Sequence, residues 1–88
     1  MMRVVIKPVF DTTKASVERA REELVRALGF RGNVISAEAN GPNVIVRFEI
    51  NPQWDLPAQK KVNYLKESIP ANVRSTFRVV SVSEDNHS

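Results

Sequence analysis

Catalysis and metal binding draw on a short list of side chains, and this chain is poor in several of them. It has no cysteine and one histidine, His87, beside its last residue. Without cysteine there is no thiolate nucleophile, no disulfide and no zinc site built on sulfur. His87 has no second ligand at a useful spacing, so it reads as a solvent residue, and no metal or cofactor is expected. The densest run of reactive types is Asp11, Thr12, Thr13 and Lys14. Such residues at the positive end of a helix can bind an anion. The run lacks the glycines that let backbone N–H groups wrap a phosphate, and helix capping accounts for it. Asp11 is the one carboxylate placed where burial would make it a base. No catalytic constellation is found, and the chain is not expected to be an enzyme.

The other candidates for function are cations and aliphatics, whose roles depend on the elements that carry them. Eighty-eight residues make one domain and leave no room for two cores. With 42% hydrophobic and 26% charged residues, the chain fits neither the disordered nor the membrane class. Nothing approaches the roughly 18 apolar residues of a membrane span. The run Val4-Val5-Ile6 is cut by Lys7-Pro8 and makes no signal peptide, so a cytoplasmic protein is expected. A formal net charge of +3 permits an anionic partner without requiring one.

Arg3 to Phe10 reads as a strand rich in β-branched residues. Asp11, Thr12 or Thr13 then caps a helix that runs to about Leu28, with Val17, Ala20, Leu24, Ala27 and Leu28 as its apolar stripe. Lys14–Glu18 and Glu22–Arg26 are opposite charges four residues apart on its outer face. Gly29 suits the left-handed position past the helix end, with Phe30 folding back onto the stripe. Asn33–Ala39 and Val44–Ile50 form a hairpin. Pro42 lacks the N–H that an Asn40-Gly41 turn needs, so a four-residue loop pairing Ala39 with Val44 is expected. Ile35, Ala37 and Ala39 face Val44, Val46, Phe48 and Ile50 on the inner side. Asp55 caps a second helix with stripe Ala58, Val62, Leu65 and Ile69, which Pro70 ends. Trp54 packs back onto its first turn, and Lys60, Lys61 and Lys66 make a solvated strip. Val73–Val82 is the last strand, with Phe77 and Val79 inward. Residues 1–82 then form one domain, and 83–88 a mobile polar tail.

The order β-α-β-β-α-β with right-handed crossovers predicts an α+β fold, the ferredoxin-like sandwich. Its four-stranded antiparallel sheet has order 4-1-3-2, with both helices on one face. Acylphosphatase has this fold and uses an arginine in the first loop, but no arginine stands between Phe10 and Lys14. The open face of the sheet is therefore the informative surface. Strand parity places Arg3, Val5, Lys7 and Val9 there, with Val34, Ser36, Glu38, Ile45, Arg47, Glu49, Arg74, Arg78, Val80 and Val82.

That face supports three readings. In the favoured one, Val5, Ile45, Val80 and Val82 form an apolar centre ringed by charge, which meets a second copy or another protein. In the second, Arg3, Lys7, Arg47, Arg74 and Arg78 contact the phosphates of single-stranded nucleic acid. The RNA recognition motif binds on this face through aromatics of its two central strands. Here Phe48 has inward parity, and the first strand offers only Phe10 at its end. In the third, Arg and Lys stems simply cover the valines.

Overall fold

A computed structural model of the protein describes residues 1–9 and 14–85. Phe10, the capping candidates Asp11, Thr12 and Thr13, and His87 lie outside the described residues. The elements run β1 (Met2–Pro8), α1 (Lys14–Leu28), β2 (Gly32–Asn40), β3 (Asn43–Ile50), α2 (Ala58–Asn72) and β4 (Phe77–Glu84). All neighbouring strands are antiparallel, in the order β2-β3-β1-β4. Read from the other edge, this is the expected 4-1-3-2.

Central strand β1 buries its even-numbered residues. Met2, Val4 and Ile6 stand opposite Phe48, Val46 and Val44 of β3, and all six are within 1% of full burial. Ala20, Leu24 and Leu28 from α1 and Val62, Leu65 and Ile69 from α2 close over them in one cluster with Trp54. Both helices therefore cover the same face. Each fully buried large apolar side chain contributes about 1.5–3 kcal/mol.

Both edge strands depart from strict alternation. The β2–β3 register shifts between Val34 and Ser36, leaving Ile35 as an extra residue. Val34 thus faces Phe48 and packs on the core, while Ile35 is 50% exposed, the reverse of the expected assignment. The β1–β4 register shifts in the same way between Val5 and Ile6, with Val80 as the extra residue of β4. Val82 therefore pairs with Val4 and packs against the core, not on the open face where strict alternation puts it. A bulge adds one residue to one strand, and every side chain beyond it changes face.

The turns and caps differ from expectation for local reasons. Ala39 pairs with Val44 as expected, but Asn40 also pairs with Asn43, so Gly41 and Pro42 alone make the turn. In this register the turn-closing N–H belongs to Asn43, and the missing N–H of Pro42 is no obstacle. Gly41 has φ +60°, the type II′ pattern with glycine first. Gly29 takes the expected left-handed conformation, φ +57°. Phe30 does not fold back and is 64% exposed. Asp55 makes no side-chain cap; Pro57 occupies that position. Pro70 sits inside α2, whose last turn is held by the Val73 N–H bonded to Ile69 O (3.1 Å) and by Asn72 Nδ2 bonded to Ser68 O (2.8 Å). β4 starts at Phe77, later than expected, and runs through Glu84.

The bulge assignment has a direct test. Val82→Asp puts a charge on the helix side of the sheet and lowers unfolding stability by about 2 kcal/mol in a urea titration. Val80→Asp, two residues earlier, leaves the midpoint near that of wild type. Equal effects would restore strict alternation.

Candidate functional site: the open face of the sheet

The odd-numbered residues of β1 set the centre of the open face. Arg3 pairs with Arg47 of β3, Val5 with Ile45, and Lys7 with Arg78 of β4. Two of these three rows thus place cations directly opposite each other, an arrangement that destabilises a sheet unless something compensates it.

At one end of the face the compensation comes from within. Arg47 donates from Nη1 to Glu38 Oε1 (2.6 Å) and from Nε to Asp85 Oδ2 (2.9 Å). Asp85 reaches this position because its backbone N–H bonds to Met1 O (2.8 Å), carrying the chain past the end of β4. The hydrogen bonds to Glu38 and then Asp85 raise the Arg47 pKa further above its ordinary value. Ile45 is only 9% exposed, although it belongs to the open face. Arg3 is half-buried, and its Nε is covered with no hydrogen-bond partner among the described residues.

The other end is different. Lys7 and Arg78 are exposed, and their side chains make no hydrogen bond or ion pair among the described residues. Val80, 56% exposed on its bulge, and Val9, also exposed, lie at this end. Among the residues expected at the site, the structure thus keeps Arg3, Val5, Lys7, Ile45, Arg47, Arg78 and Val80 on the open face and turns Val82 away.

Arg74 is also off the face, because it precedes β4. Its backbone N–H donates to Glu23 Oε1 (2.9 Å), and its Nε lies 3.7 Å from Glu23 Oε2. Glu23 is buried on α1, and the Arg26 guanidinium binds it as well while donating to Asn72 O (2.6 Å). The expected Glu22–Arg26 pair is replaced by this clip, which joins α1 to the end of α2 and the start of β4. One sequence signal was available: Glu23 lies three and four positions from Ala20 and Ala27, on the flank of the stripe.

A second cluster had no sequence signal, because its members are far apart in the chain. The Arg31 guanidinium lies 4.9 Å from the Tyr64 ring centroid, 5.1 Å from Phe30 and 5.8 Å from Trp54. Trp54 and Tyr64 meet edge to face at 5.4 Å. Asn51 pins the turn that carries Phe30 and Arg31, donating from Nδ2 to Phe30 O (2.8 Å) and from its backbone N–H to Arg31 O (2.9 Å). Cation–π attraction holds the guanidinium, which no carboxylate pairs with among the described residues.

Among the described residues, no group of three or more His, Cys, Asp or Glu is placed to hold a metal ion. No helix there is long and apolar enough to cross a membrane. No protein-family model matches the chain, and no curated protein or solved structure matches it either.

Glu23 gives this region a pH dependence. Burial pushes its carboxyl up, but the bonds from Arg26 and from the Arg74 backbone N–H outweigh burial and hold the pKa below the ordinary 4.5. A lowered folded-state value stabilises the protein above the unfolded value, and the contribution is lost as pH falls through the folded one. In urea titrations, Glu23→Gln costs about 1–2 kcal/mol at pH 7, and the difference from wild type shrinks steadily below about pH 4. A pH-independent difference would remove the ionic account.

Proposed function

We propose that the protein is a small non-catalytic interaction module with a ferredoxin-like sandwich fold. It docks through the open face of its sheet, and a second copy of the chain is the partner that fits best. The observation that carries this reading is the Lys7–Arg78 pair. Two cations face each other across adjacent strands, beside exposed Val80 and Val9, with no acid paired to either among the described residues. An acid from another molecule relieves that repulsion, and the valines supply apolar area next to it.

The chain carries such an acid at the far end of the same face. Glu49 lies on β3 beyond the Met2–Phe48 pair, exposed and without an ion pair among the described residues. A two-fold axis lying across the strands reverses the strand direction in the second copy. The Lys7 end of each protomer then meets the Glu49 end of the other, as an isologous contact requires. Bulges on both edge strands favour this face over an edge, because a bent edge is a poor template for strand addition. Single-stranded nucleic acid is the second reading, since Lys7 and Arg78 also suit phosphates. The open face has no aromatic residue among the described residues on which a base can stack.

Ile45 is too covered to probe the surface without disturbing the fold, so the test uses Val80 and Arg78. Size-exclusion chromatography with light scattering, at two concentrations near physiological salt, is expected to give a two-chain mass. Val80→Asp and Arg78→Glu each return one chain with an unchanged unfolding midpoint. A one-chain mass for wild type at both concentrations overturns self-pairing. Salt-dependent binding of single-stranded RNA, lost in Arg78→Glu, would then install the second reading.

A further inference from the structure

The helix side of the molecule holds a cavity of about 300 Å³ lined by Pro8, Ser16, Arg19, Arg74, Thr76 and Phe77. It lies where β1 ends, α1 begins and the chain enters β4. Its described lining includes two arginines and no carboxylate.

Both cations are put there by the backbone. Arg19 and Glu23 are four residues apart on α1 and share one helix face. Glu23 accepts the backbone N–H of Arg74 (2.9 Å) and so draws residue 74 up to that face, beside Arg19. The Phe77 N–H bonds to Arg74 O (3.0 Å), and the Val9 N–H to Thr76 O (2.9 Å), which fixes Thr76 at the end of β1.

Among the described residues, neither guanidinium is held by a close side-chain hydrogen bond. The Arg19 side chain makes no hydrogen bond or ion pair among the described residues. Arg74 meets Glu23 only through Nε, at 3.7 Å, with its side chain largely exposed. An adjoining hollow of about 320 Å³ shares Arg19, Arg74, Thr76 and Phe77 and adds Glu22, Glu23 and Arg26. Glu23 is already engaged there by Arg26 and Arg74, so cations still outweigh free acids.

We infer that this cavity binds a small phosphomonoester. The phosphate dianion lies between the Arg19 and Arg74 guanidinium groups and accepts a hydrogen bond from the Thr76 hydroxyl. The organic part rests on Phe77 and Pro8. Planar guanidinium forks match phosphate oxygens two at a time, and two of them balance a dianion better than a carboxylate monoanion. The site is separate from the open face, and neither proposal depends on the other.

Phenyl phosphate titrated into the ¹⁵N-labelled protein tests this, with benzoate as the carboxylate comparison. Saturable shifts are expected at residues 16–19 and 74–77. Arg19→Ala and Arg74→Ala each weaken binding about tenfold or more. Arg78→Ala, on the opposite side of the sheet, leaves it unchanged. Arg74→Ala keeps the N–H that Glu23 holds, and thermal midpoints confirm that each variant is folded. Benzoate binds about tenfold more weakly or worse. Wild-type affinity in Arg19→Ala, unsaturable shifts spread over Lys7 and Arg78, or equal affinity for benzoate would each overturn the assignment.

Discussion

β1 is a seven-residue strand with a neighbour on each side, and its even-numbered residues are sealed beneath both helices. A strand side chain has only two directions to take, so burying Met2, Val4 and Ile6 forces Arg3, Val5 and Lys7 onto the other face. The antiparallel registers then decide what those residues meet. Arg47 and Arg78 are opposite cations because of where β3 and β4 pair with β1, not through any attraction of their own. The chemistry of the open face is thus a by-product of core packing, and what differs along it is how the repulsion is handled.

Carboxylates decide that outcome. Glu38 and Asp85 converge on Arg47 and neutralise it at one end of the face. Glu23 does similar work on the helix side, where a buried carboxylate joins three parts of the chain. Single carboxylates on exposed cations add little to stability, so the value of Glu23 lies in its burial and its several donors. Lys7 and Arg78 on the open face and Arg19 on the helix side are among the cations that these carboxylates leave unpaired among the described residues. Unpaired positive charge is thus present on both sides of the sheet.

Much of this was legible in the chain. The alternation Val44, Val46, Phe48 and the stripes on both helices report a core in which every position repeats at a fixed period. The order of elements and the sheet order followed from them. The face of Val34 and of Val82 was not legible, because a bulge breaks the period on which the inference rests and leaves no mark in residue type. Arg74 was misplaced for a related reason: Val73 packs on the core as the cap of α2, which from sequence resembles the first inward residue of a strand. Phe30 follows a left-handed glycine, as a residue folding back would, yet it covers a guanidinium contributed by the next residue. The neutral pairs of the open face join residues distant in sequence, so the covering of Ile45 emerged only with the registers.

Each edge strand is one residue longer than the inner strand it pairs with: nine in β2 against eight in β3, and eight in β4 against seven in β1. A growing fibre needs identical edges that accept copy after copy at constant spacing. Here the first copy to arrive meets a ladder whose two halves are out of step by one residue. It can match one half or the other, and its own far edge presents the same break to the next. Two surplus residues, Ile35 and Val80, thereby make each edge of the sheet a poor template for repeated addition.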